Sequence, residues 1–114
     1  MGSSRPGKSA ERRAAWWYRL RGYRVLATNA WIAGNELDLV VRRGRRLIFC
    51  EVKEKRGDRF GAPEEMVDAE KQRRFRRAGS GWLAAHPESA GLSESFDVIA
   101  VQGRRLRRLP GGID

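Results

Sequence analysis

One cysteine, one histidine and no long apolar run set the first limits on this chain. With Cys50 alone, no internal disulfide forms and no cysteine-built metal site is assembled, so a reducing, cytoplasmic compartment is the expectation. His86 stands before Pro87 in an apparent loop and reads as a solvated residue rather than a general base or zinc ligand. No stretch approaches the roughly 18 apolar residues that a membrane span requires, and the N-terminus shows no apolar signal segment, so no membrane partner is expected. A phosphate-cradling glycine loop, a Ser-His-Asp set and a cysteine nucleophile are all missing. Lysine is scarce as well: of 24 basic residues four are Lys and twenty are Arg.

The 114 residues suit one compact domain, with residues 1–8 as a loose arm and 9–114 as the folded unit. Hydrophobic residues make up 40% of the chain and there are four tryptophans, enough to build a core although 33% of residues are charged. The net charge is +10 and the pI about 11.1. Paired arginines such as Arg12-Arg13, Arg42-Arg43 and Arg45-Arg46 make a polyanion, nucleic acid above all, the natural partner.

From Ser9 the run SAERRAAWWYRLRG reads as a helix, with Ser9 at its N-cap, Glu11 in the first turn and Gly22 in the left-handed C-terminal position. Ala10, Ala14 and Trp17 form its expected buried stripe, and Glu11 lies on the flank of that stripe. YRVLATN reads as a strand, followed by a loop containing Trp31 and Gly34. A second helix is expected from Pro63 toward Ala78, with Val67, Lys71, Phe75 and Ala78 along one stripe. Lys71 there either snorkels past the core or reaches toward an acid and a phosphate. Gly79 and Gly81 are expected to break or bend it before Trp82. SFDVIAVQ reads as a further strand and RRLRRL as a short basic one. Asp97 is expected to cap a turn or orient an Arg.

The segment ELDLVVRRGRRLIFCEVKEK, residues 36–55, reads as a hairpin with Gly44 at its tip. A two-residue turn at Arg43-Gly44 pairs positions summing to 87, and one at Gly44-Arg45 pairs positions summing to 89. Both sums are odd, so either register places Leu37, Leu39, Val41, Ile48, Cys50 and Val52 on one face. Glu36, Asp38, Glu51 and Lys53 then share the other. Slipping by one residue would push acids into the apolar face, which burial opposes. Carboxylates packed this closely repel one another unless a cation neutralises them. Salt bridges to Lys53 or a nearby Arg, or plain solvent at a sheet edge, are two answers. A hard divalent ion, Mg²⁺ or Mn²⁺, is the third and the one preferred here. Lys53 supports it, because a compact ammonium in an Arg-rich chain suits a place beside a reacting water or phosphate oxygen.

The order of Glu11, then Gly34-Asn35-Glu36-Leu37-Asp38-Leu39, then Phe49-Cys50-Glu51-Val52-Lys53 resembles the YraN family of uncharacterised bacterial proteins. That family resembles archaeal-type Holliday junction resolvases of the PD-(D/E)xK nuclease superfamily. The similarity runs from about Ser9 to Leu109 and includes Gly61-Ala62-Pro63, Lys71 and Phe96-Asp97-Val98. It implies an α/β fold, a central mixed β-sheet flanked by helices of restriction-endonuclease-like type. It also implies Asp38, Glu51 and the Val52 carbonyl as metal ligands, Lys53 as catalytic lysine and Glu11 as an accessory acid. Glu36, Lys55, Arg56, Lys71 and Arg74 are the implied substrate contacts, DNA the implied substrate and a homodimer the implied assembly. Asn35, Lys55 and Ser95 stand where the family usually has Gly, Arg and Arg.

Overall fold

The computed structural model describes residues 8–54 and 69–113. Helix α1 (Lys8–Arg19) leads into the strands β1 (Arg24–Ile32), β2 (Asn35–Arg43) and β3 (Arg46–Glu54). Helix α2 (Ala69–Ala85), a short 3₁₀ turn, β4 (Ser93–Gln102) and β5 (Arg105–Ile113) complete the order. The five strands form one sheet in the order β1-β2-β3-β4-β5. Only β3 and β4 are parallel, joined by the crossover that carries α2. The expected mixed sheet flanked by helices is therefore what the chain forms.

Among the described residues each face of the sheet is covered by one helix. Ala10, Ala14, Ala15 and Tyr18 of α1 pack on Leu39, Val41, Ile48, Cys50 and Ile99. On the other face Phe75, Ala78 and Trp82 of α2 pack on Val40, Leu47, Phe49 and Phe96. β3 is buried from Leu47 through Cys50 and half-buried from Glu51 through Lys53. That gradient leaves its second half as the place where chemistry meets solvent.

The hairpin adopts the 89 register, Arg43↔Arg46 through Leu39↔Cys50, with Gly44 at φ +60 in the turn. Leu37 departs from the expected alternation: it is buried with the α2-side cluster and not beside Leu39 and Val41. The β2–β3 ladder stops at Leu39↔Cys50, and the positive φ of Asn29 interrupts the β1 neighbour at the same level, so β2 does not continue its regular pleat across Asp38.

Other expectations are corrected by packing. α1 begins at Lys8, which puts Ser9 inside the helix and not at its cap. Its C-terminus does close as expected: Gly22 sits at φ +90, and the N–H groups of Gly22 and Tyr23 donate to the Arg19 and Tyr18 carbonyls. Tyr18 rather than Trp17 takes the deepest position, because its hydroxyl supplies a donor to buried Asp97. β1 runs on through Trp31 to Ile32, and the turn is Ala33-Gly34. β5 is longer than the short strand expected. The residues expected to start the second helix, Pro63 to Val67, lie outside the described residues, as do Lys55, Arg56 and residues 1–7 of the arm.

α2 does not break at its glycines but runs through both to Ala85. Gly79 lies against the Phe49 and Phe96 rings, where a Cβ would come within 3.2 and 3.1 Å, and a Cβ on Gly81 would run into Ile32 Cγ2. These glycines let the helix approach the sheet. Gly81→Ala gains about 1 kcal/mol of helix propensity but overpacks the contact by about 1–3 kcal/mol. A lowered denaturation midpoint is therefore expected, and a raised one would show that Ile32 gives way freely.

Candidate active site

Asp38 and Glu51 each lie one step beyond the last paired residues, Leu39 and Cys50, and both line one cleft. Where β2 stops pairing with β3, a side chain substitutes for its backbone: Asp38 Oδ2 accepts the Val52 N–H at 2.8 Å. In an extended strand the N–H and C=O of one residue point to the same edge. The Val52 carbonyl therefore faces the gap beside Asp38. A cleft of about 310 Å³ opens there, lined by Asn35, Glu36, Asp38, Glu51, Lys71, Arg74 and Phe75.

Three acids press on Asp38. Burial is the main cause that raises its carboxyl to about 7, with the charges of Glu11, Glu51 and Glu36 adding to it and the Val52 N–H opposing it. Glu11 does not line the cleft. It approaches from the α1 side, where Asn29 Nδ2 donates to its Oε1 at 3.0 Å. Asn29 holds the left-handed φ of +51 that interrupts β1 level with Asp38. Sequence reasoning passed over Asn29, and its one signal was weak, since Asn adopts that conformation more readily than other side-chain-bearing residues.

Glu51 is 15% exposed and pairs with Lys71 Nζ at 2.9 Å, while Lys53 Nζ stands 4.0 Å from the same oxygen. Of the two alternatives for Lys71, the reach to the acid is the one taken. Glu36 and Arg74 also stand on the cleft, whereas Lys53 is outside its lining. Cys50, next to Glu51, is fully buried, and burial pushes its thiol well up, so it takes no part as a nucleophile.

Among the described residues no three His, Cys, Asp or Glu side chains gather as a ready-made ligand set. Mg²⁺ needs no such cage, because it binds through one or two carboxylates and completes its octahedron with water and phosphate oxygens. Two carboxylates and a carbonyl converging on one gap fit that ion, and the mutual repulsion of the acids favours it. Lys71 and Arg74 add two cations to the same cleft, suited to a phosphate.

Among the described residues no helix is long and apolar enough to cross a membrane. Residues 10–101 match the model of the uncharacterised protein family UPF0102. A UPF0102 protein of Methylobacterium nodulans is 44% identical over 102 residues, covering 90% of this chain and 78% of its own length. One from Methylorubrum extorquens is 42% identical over 95% of this chain and 84% of its own. A third, from Syntrophotalea carbinolica, is 40% identical over 95% of this chain and 90% of its own. A family match over most of the domain, together with relatives at this identity, means that the chain belongs to the uncharacterised protein family UPF0102.

Proposed function

We propose that this chain is a divalent-metal-dependent endonuclease that hydrolyses DNA phosphodiester bonds, with branched or structured DNA as the substrate by analogy with the resolvases it resembles. The observation that carries the reading is the Asp38–Glu51 pair on one open cleft, with the Val52 N–H donating to Asp38. Asp38, Glu51 and the Val52 carbonyl would hold Mg²⁺ or Mn²⁺. Such an ion, when bound, lowers the pKa of a coordinated water and offsets charge on the scissile phosphate.

The chain's own groups do the rest. The Val52 N–H fixes one oxygen of Asp38 and leaves the other for the ion. Lys71 holds Glu51 in the cleft and, with Arg74, offers a phosphate two cations. Lys53, close to Glu51, orients the attacking water or steadies charge on the phosphate. Glu11 tunes Asp38 from the far side. In this reading the enzyme works in the cytoplasm as a homodimer on paired strands.

Cleavage of duplex, flap and four-way DNA with and without Mg²⁺ or Mn²⁺ tests the proposal. Metal-dependent nicking by the intact chain is expected. Salt-sensitive binding without cleavage of any form would make it a silent nucleic-acid-binding module instead. The Glu51–Lys71 ion pair favours a second reading, in which the acids are salt-bridged and the domain serves interaction only. That reading expects no divalent-ion heat in calorimetry and a Glu51→Ala protein whose stability is unchanged or lower.

A further inference from the structure

Helix α1 has two working sides. Glu11 turns toward Asn29 and Asp38, whereas two i, i+4 rows, Arg12-Trp16 and Arg13-Trp17, continue into Leu20 and Arg21 of the following turn and line another side. Together they line a groove of about 510 Å³ against Leu106 of β5, and among the described residues no acid lines it. Trp16 is 56% exposed and Leu20 78%, large apolar surface for a chain this highly charged. The second row is tied down: Arg21 lies 3.7 Å from the Trp17 ring centre and donates to the Trp17 carbonyl, and Arg13 donates to the Gly103 carbonyl. The first row presents its indole to solvent, with Arg19 at 5.2 Å from the ring centre.

We infer that this groove holds single-stranded nucleic acid, with an unpaired base stacked on Trp16 and Arg12 and Arg19 on the backbone beside it. A duplex offers phosphates but hides its base faces, so an intact helix would leave Trp16 and Leu20 unused. Unstacked bases use both the ring and the charge. Complementarity selects the occupant: a groove that the described residues line with arginines and exposed tryptophan suits a polyanion with flat apolar faces. The inference rests on the nucleic-acid part of the reading above and adds unpaired strand to it, the element that branched and flapped DNA supplies.

Anisotropy of a labelled oligothymidylate of about 15 nucleotides, measured on the full chain in EDTA, tests it without cleavage intervening. Trp16→Ala is expected to weaken that binding about 5–100-fold while duplex affinity changes less than about two-fold. Arg12→Gln should lower the salt dependence by about one counterion. Both sites are on the surface, and circular dichroism checks that the fold persists. Equal losses on both nucleic acids, or none, would overturn the inference. So would binding to phosphatidylglycerol vesicles in place of the oligonucleotide, or a dimer in sedimentation that Trp16→Ala dissolves without touching oligonucleotide affinity. A chain that binds through Trp16 yet cleaves nothing contradicts only the nuclease, and one that cleaves but ignores Trp16 contradicts only the groove.

Discussion

Asp38→Asn should lose metal-dependent cleavage by at least about 10²–10³-fold and yet unfold later than the parent in metal-free buffer. The two effects have one cause. The folded carboxyl titrates near 7, above its ordinary value of 3.8, so the folded protein holds a proton that the unfolded chain has released. Stability from this group is fully present below the unfolded value and is lost as pH rises through 7. At about pH 8 the charge costs on the order of 2 kcal/mol after solvent screening. Asn keeps an oxygen for the Val52 N–H and carries no charge, so the midpoint should rise at pH 8 and show little gain near pH 4. Thermal unfolding across that range checks the sign. Cleavage that survives the substitution would mean a contaminant or a misplaced site.

The largest expected loss of stability lies on the opposite face of the sheet. Asp97 is fully buried, and its Oδ2 accepts the Tyr18 hydroxyl and the Arg108 Nε, each at 2.7 Å. Burial raises the Tyr18 phenol, with Cys50 and Asp97 adding to the shift, so Tyr18 remains a donor throughout the working range. This network ties α1 to β4 and β5. Asp97→Ala leaves the buried Tyr18 hydroxyl and the half-buried Arg108 guanidinium without this acceptor and is expected to cost about 3 kcal/mol. For a domain whose total stability is about 5–15 kcal/mol, that is enough to make denaturant unfolding begin near zero denaturant. Tyr18→Phe removes the hydroxyl's hydrogen bond to Asp97 and should cost about 1–2 kcal/mol. Near-parental stability of Asp97→Ala would show that the buried carboxylate is not what joins these elements.

The central hairpin was legible because two independent constraints agree there. Period-two alternation and a two-residue turn in either register put Asp38 and Glu51 on one face, with Ile48 and Cys50 buried on the other; the structure selects the 89 register. What escaped the sequence was set by contacts between distant segments. Gly79 and Gly81 look like helix breakers until Phe49 and Ile32 are seen against them. Trp17 and Tyr18 are consecutive on α1, and the partner at Asp97 decides which goes deeper. Leu37 leaves its expected face because the ladder ends beside it, an event that alternation does not encode. Lys71 had two plausible destinations, and the distance between α2 and β3 chose one of them.

The cleft stands or falls on a cation. Calorimetric titration of Mn²⁺ into the intact chain at about pH 8 should give one site per chain, weaker at about pH 6, where Asp38 is largely protonated. The same titration into folded Asp38→Asn and Glu51→Ala should give none. Absence of heat with the parent chain, or undiminished binding in both variants, would contradict the assignment of this cleft as a metal-dependent active site.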